Sequence, residues 1–268
     1  MNLLEKQLVE ILRELKEKHA VTGVKMEFEA EGTRLEEAMR LKDVSSHAGV
    51  EMTLKIGGCE AFTDMYEAAK LGVRHLVAPM IETPYALRKY HGAILKAYHA
   101  EDRADMCFLF NLETITACEN FSRMLELSEM QDIDGIVLGR VDLTGSLGMT
   151  RGDVNADRIL EICIKMATQA KAHGKTVVVG GSVSYRSMPF FRKFPAGLLD
   201  RFETRKIVFH CPEALANTEE SFLQALKFEI LWLKNKHQYY SRISQEDQDR
   251  LKMMEERYQD ALRIQKRG

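Results

Sequence analysis

Short apolar runs alternate along the chain with stretches whose apolar residues recur every three to four positions. The runs at 23–30, 49–58, 75–81, 106–113, 134–142, 175–181 and 205–211 read as strands. The stretches at 33–44, 60–72, 83–100, 116–129 and 155–174 read as helices between them. The strand runs are rich in Val, Ile and Leu and bounded by glycine, which suits strands buried on both faces of a parallel sheet. Seven strands are evident, and 189–204 is the place left for an eighth. Repeated strand-then-helix units call for a closed barrel or an open doubly wound sheet. Polar residues gather at the ends of five strands, at Glu27, Glu29, Lys55, Glu82, Glu113 and Asp142. A barrel uses many strand ends and an open sheet uses one switch point, so the spread favours the barrel.

The pattern predicts an α/β fold: a parallel (β/α)8 TIM barrel with an N-terminal helix and a C-terminal helical extension. Residues 1–211 would form the barrel and 212–268 the extension. The extension reads as two long helices, 212–241 and 244–268, too long and charged for a routine last barrel helix. Phe222, Leu226, Ile230 and Leu233 form a stripe on the first, and Leu251, Met254, Tyr258 and Leu262 on the second. These stripes point to a cap on the barrel or to a homo-oligomer, a trimer or a hexamer of trimers. The single Trp232 reads as packing.

The chain has 268 residues, of which 45% are hydrophobic, enough for one barrel of about 250 residues. A net charge of -2 gives no electrostatic reason for a nucleic-acid partner. No run is long and apolar enough for a membrane span. The amphipathic first residues, studded with Glu and Lys, do not read as a signal or transit peptide. Five scattered cysteines without a C-x-x-C pair indicate neither a disulfide framework nor a zinc site, and point to the cytoplasm. No Walker A motif and no G-x-G-x-x-G follows a strand.

The chemistry centres on two adjacent strand ends. Glu113 follows the apolar run CFLFNL, and Asp142 follows IVLGRV. Each alone would read as a helix cap. Together, with glycines at 139, 145 and 148, they offer two hard oxygen ligands to one mouth, which suits Mg2+ or Mn2+.

NLETITACEN followed by IDGIVLGRVDLTGSLG, with LGVRHLVAPMIETPYALRKY before them, resembles the HpcH/HpaI aldolase and citrate lyase beta-subunit family. The resemblance runs from about Gly23 to about Gly181. It implies a metal-dependent carbon–carbon lyase acting on a small 2-oxo acid, such as pyruvate or oxaloacetate, through an enolate. The family's metal-binding Glu and Asp match Glu113 and Asp142. Its substrate-binding arginine matches Lys55, which supplies the charge without the bidentate fork. Backbone N–H groups from Gly139 through Arg140 and Val141 to Asp142 would complete the pocket, and Arg140 occupies a position that is usually proline.

One departure bears on the reaction. The family's aldolases end the first strand in Asp-x-Glu-His; here Glu27-Phe28-Glu29-Ala30 puts alanine where the histidine stands. Proton transfer would then fall to Glu29, Glu27 or His47, though His47 lies before the second strand, on the side that usually serves stability. Glu82 and Thr83 read as a capping pair or as support. The departure keeps two alternatives open: a synthase joining the enolate to an acyl-CoA or aldehyde, and a non-catalytic binding or regulatory barrel.

Overall fold

A computed structural model describes residues 1–265. Within them, helix α1 (Leu3–His19) leads into strands β1 (Val21–Glu27), β2 (Glu51–Lys55), β3 (His75–Ala78), β4 (Cys107–Leu112), β5 (Gly135–Gly139), β6 (Thr176–Gly180), β7 (Arg201–Glu203) and β8 (Ile207–His210). The eight strands close into a barrel in sequence order. The helices between them are α2 (Leu35–Ala48), α3 (Phe62–Leu71), α4 (Pro84–Ala97), α5 (Ala100–Ala104), α6 (Ile115–Leu125), α7 (Arg140–Ser146), α8 (Asp157–Ala172) and α9 (Met188–Arg192), and α10 (Glu219–Gln265) follows the last strand.

Strand alternation separates two cores. Outward residues such as Met26, Leu54, Phe110, Leu138, Val179 and Phe209 pack against the helices in one continuous apolar cluster. Inward residues Val77, Leu109, Val137 and Val178 form a second, smaller cluster at mid-barrel. Below it, His75 and Arg201 meet, with Nη1 of Arg201 3.1 Å from Nε2 of His75. Above it the inward positions become polar or small: Lys25, Glu27, Lys55, Asn111, Gly139, Gly180 and Glu203. A strand that looks uniformly apolar thus carries its chemistry on every second residue, at its C-terminal end.

The barrel is not all parallel, contrary to the sequence expectation. From β1 to β7 neighbours run parallel, but β8 is antiparallel to both β7 and β1. Only residues 204–206 separate β7 from β8, whereas a parallel neighbour needs a crossover of about a dozen residues. Thr204 closes the hairpin: its N–H donates to the Ile207 carbonyl, and its Oγ1 accepts from the Ile207 N–H at 3.0 Å. The eighth strand sought in 189–204 is the short β7, and the run at 205–211 is the returning arm.

The C-terminal extension is also corrected. It is one helix, α10, not two, because nothing between Tyr240 and Gln245 breaks the helical backbone. Phe222, Ala225, Phe228 and Trp232 are buried against the barrel. Leu226, Ile230 and Leu233 of the expected stripe are exposed instead, as are Leu251, Met254 and Tyr258 further on. The side chain of Asn217 donates to the His19 carbonyl at 2.9 Å, and Asn2 donates to Asn235 Oδ1 at 2.7 Å, so α10 climbs alongside α1. Among the described residues, no helix is long and apolar enough to cross a membrane.

Candidate active site

The polar ends of the strands open into a cavity of about 500 Å³. Glu113 is the first residue after β4 and is 2% exposed. It is not a helix cap: Thr114 caps α6, its hydroxyl accepting from the Ala117 N–H at 3.1 Å. The Glu113 carboxylate is therefore free to face the mouth. Its Oε1 accepts from the Met80 N–H at 3.1 Å and its Oε2 from Asn111 Nδ2 at 2.7 Å. Gly139 makes room for it, since a Cβ there would lie 2.7 Å from both Cβ and Oε2 of Glu113.

Asp142 lies in the first turn of α7, is exposed, and its side chain makes no hydrogen bond or ion pair within the described residues. Burial pushes the Glu113 carboxyl above its usual range; Lys55 and the Met80 N–H oppose that, and the charge of Asp142 adds to it. A carboxylate raised mainly by burial, with a second carboxylate nearby, is a site where a cation is electrostatically favoured.

Lys55, at the end of β2, is 8% exposed and holds Glu29 at 3.3 Å and Glu113 at 3.9 Å. On β1, Lys25 bridges Glu27 at 3.0 Å and Glu203. Burial works against the charge on Glu27, but Lys25, Lys55 and Arg205 outweigh it and hold its carboxyl below the usual range. Glu27 is therefore a fixed anion. Glu29 is more open, with its side chain 40% exposed. Ala30 lines the cavity with nothing to titrate.

The structure brings Glu113, Asp142, Lys55, Glu27, Gly139 and Val141 to one cavity, with Glu29 reaching it through Lys55. The side chain of Arg140 is not among them. It is wholly buried on the far side of the strand end. There it donates to the carbonyls of Gly180, Gly181 and Val154 and to Asn155 Oδ1, and it lies over the rings of Phe190 and Phe191. Burial lowers its pKa to about 10, which leaves it charged at neutral pH. Only its backbone faces the site: a Cβ on Gly181 would lie 2.9 Å from Arg140 N and 2.8 Å from Val141 N. His47 lies on α2, exposed and bonded to Asp43, away from the cavity. Glu82 accepts from the Thr114 hydroxyl at 2.5 Å, and Thr83 caps α4. Both are supports.

Sequence reasoning missed Lys25, Glu203, Asn111 and the N–H of Met80. A charged residue at an inward position of an apolar strand was the signal for Lys25; Glu203, in the short and polar β7, left none. Met80 left none, because its role depends on a left-handed backbone with φ at 51°.

The mouth fits a divalent cation of a particular kind. Among the described residues no group of three or more His, Cys, Asp or Glu is placed to hold a metal, so it is not an all-protein cage. Glu113 and Asp142 supply hard oxygens, and Asn111 Oδ1, buried in the cavity wall, has no partner. Two carboxylates with an unmatched acceptor beside them suit an ion that keeps several waters, as Mg2+ does.

The fold and site define a barrel with a carboxylate pair at the C-terminal mouth. Residues 29–182 match the model of the HpcH/HpaI aldolase/citrate lyase family, and the chain belongs to that family. It is 22% identical over 213 residues, 68% of this chain and 78% of the relative, to a 2-keto-3-deoxy-L-rhamnonate aldolase of Salmonella paratyphi A (strain ATCC 9150 / SARB42). Two of the solved structures that share its fold are these. One is an HpcH/HpaI aldolase from Desulfitobacterium hafniense DCB-2, with TM-score 0.58 and 16% identity, covering 73% of this chain and 82% of that one. The other is the citrate synthase SbnG, with TM-score 0.58 and 12% identity, covering 86% and 90%.

Proposed function

We propose that this protein is a divalent-metal-dependent carbon–carbon lyase that cleaves a 2-oxo acid to an enolate and a carbonyl product. The observation that carries the reading is that the buried carboxylate of Glu113, the carboxylate of Asp142 and Lys55 line one cavity at the barrel mouth. Glu113 and Asp142 would hold Mg2+ or Mn2+. When bound, the ion would supply Lewis acidity toward the oxygen-rich end of the substrate.

The chain's own residues do the rest. Lys55 sits where negative charge develops and stabilises it in a poorly solvated mouth. Gly181 leaves the backbone N–H groups of Arg140 and Val141 room to approach the substrate carboxylate. In cleavage, a base takes the proton of the substrate hydroxyl, the carbon–carbon bond breaks, and its electron pair becomes the enolate. Glu29 is the group we assign to that proton, because it is the open member of the Lys55 pair, whereas Glu27 is locked as an anion. Return of the proton to the enolate carbon releases the 2-oxo acid. Glu27 holds Lys25 in place.

The same steps reversed join an enolate to an aldehyde; with an acyl-CoA the enolate would instead attack the thioester carbonyl, and the coenzyme A thiolate would leave as the carbon–sulfur bond breaks. Ala30 keeps the acyl-CoA reading open, since that reaction leaves no alkoxide to protonate, and among the described residues no histidine lines the cavity. The decisive experiment is hydrogen–deuterium exchange into the methyl group of pyruvate, followed by NMR with and without Mg2+ or Mn2+. Metal-dependent exchange supports the enolate in either direction. Its absence in folded, metal-bound protein would leave a binding or regulatory barrel.

We further propose a cytoplasmic homo-oligomer, a trimer or a hexamer of trimers. Residues 1–211 would be its catalytic barrel and 212–268 part of its contact, with Leu226, Ile230 and Leu233 the exposed apolar face in need of cover.

A further inference from the structure

The cations of the cavity are matched unevenly. Lys25 sits between Glu27 and Glu203, Lys55 between Glu29 and Glu113, and Arg205 between Glu31 at 3.6 Å and Glu229 at 3.8 Å. Arg151 lines the same cavity and, within the described residues, has no carboxylate at ion-pair distance. Its Nε donates to Ser182 Oγ at 3.0 Å, and its two Nη groups make no hydrogen bond there.

Ser182 reaches the guanidinium through an uncommon backbone. Gly181 has φ at 87° and Ser182 at 50°, the latter disfavoured for a residue with a side chain. Such an outlier persists where the surroundings impose it, and often at functional sites. Gly181 abuts the first turn of α7, which carries Asp142, so Arg151 and Ser182 share a wall with the carboxylate pair. The loop continues to Ser184 and Tyr185, where Phe222 and Leu226 of α10 form the facing wall.

We propose that Arg151, oriented by Ser182, is an anion subsite for the distal carboxylate or phosphate of the carbonyl compound that the enolate leaves or joins. A guanidinium fixed through Nε presents its remaining N–H groups as a planar fork, which matches a carboxylate or phosphate edge. Glu219 and Glu229 on the α10 wall would repel such an anion, so its group must lie on the Arg151 side. This assignment rests on the enolate reading of the mouth and names the class of its second substrate.

Kinetics with pyruvate and three acceptors test it: succinic semialdehyde, glyceraldehyde 3-phosphate and uncharged butanal. The wild-type protein should prefer an anionic acceptor, and the better of the two distinguishes carboxylate from phosphate. In Arg151→Gln the ratio of kcat/KM for that acceptor over butanal should fall about tenfold, with partial recovery in Arg151→Lys. A ratio unchanged from wild type overturns the subsite. If pyruvate shows no metal-dependent exchange, the enolate reading fails separately. The subsite is then read by calorimetry with inorganic phosphate and succinate. Binding by wild type that is lost in Arg151→Gln sustains it, and wild type binding neither, or the variant binding equally, overturns it.

Discussion

The backbone N–H of Met80 donates to Oε1 of Glu113 at 3.1 Å from a left-handed conformation, φ 51°. For a residue with a side chain that conformation costs about 1–2 kcal/mol. The strain aims a donor from the end of β3 at the carboxylate from the end of β4, and so fixes the mouth across two strands. Met80→Pro deletes the N–H and forces φ negative. Mg2+ or Mn2+ affinity should fall about tenfold, the scale on which supports of metal ligands act. Calorimetry showing wild-type affinity in a folded variant would remove Met80 from the site.

Glu113→Gln and Asp142→Asn should each weaken binding of the same ions. Asp142 is exposed, and Gln at 113 can still accept from the Met80 N–H while its NH2 donates to the Oδ1 of a flipped Asn111 amide, so both variants should keep the wild-type circular dichroism. Unchanged metal affinity in both would defeat the central proposal.

Gly139→Ala tests the same carboxylate by crowding it. The new Cβ would lie 2.7 Å from Glu113 Oε2, which forces the carboxylate or strand β5 to move. We expect a stability loss of about 1–3 kcal/mol together with weaker metal binding. Thermal denaturation and calorimetry on one preparation would check both, and a variant unchanged in each would contradict the packing described.

Lys55 should separate charge from geometry. Lys55→Met should raise the apparent Kd for pyruvate, and Lys55→Arg should retain or improve binding. Equal affinity in wild type and Lys55→Met would make this residue a structural partner of Glu29 and Glu113 alone.

The base of the barrel carries a pH dependence of its own. Burial, aided by Arg201, lowers the pKa of His75 below its ordinary value near 6.5, while Glu51 opposes the shift. The folded chain thus resists a proton that the unfolded chain accepts. Stability from this group is complete above about pH 6.5 and is lost as pH falls through the lowered value. His75→Gln should flatten the decline in Tm below pH 6.5, and an identical decline in the variant would assign it to carboxylates elsewhere.

Much of the fold was legible because continuous Val, Ile and Leu runs bounded by glycine alternate with stretches of helical period. Glu113 and Asp142 were legible as acids directly after apolar runs. The direction of β8 was not, although the missing helix between 204 and 206 was its signal. The fate of Arg140 was hidden for another reason. A side chain at a strand end faces the mouth or the helix layer according to the first dihedrals of the loop, which spacing does not reveal. The unity of α10 was obscured by a polar stretch at 241–245 that reads as a turn yet contains no breaker.

The reversed strand has a consequence for biosynthesis. Because β8 descends, no helix follows β7 in the outer ring, and that sector is covered by α1 and by α10 up to Trp232. The helices that precede β1 and follow β8 therefore pack together. A nascent chain holding β1 to β7 has made most of its strand pairs yet cannot shut the ring. Its open edges at β1 and β7 stay available to wrong partners until β8 has left the ribosome and paired with both.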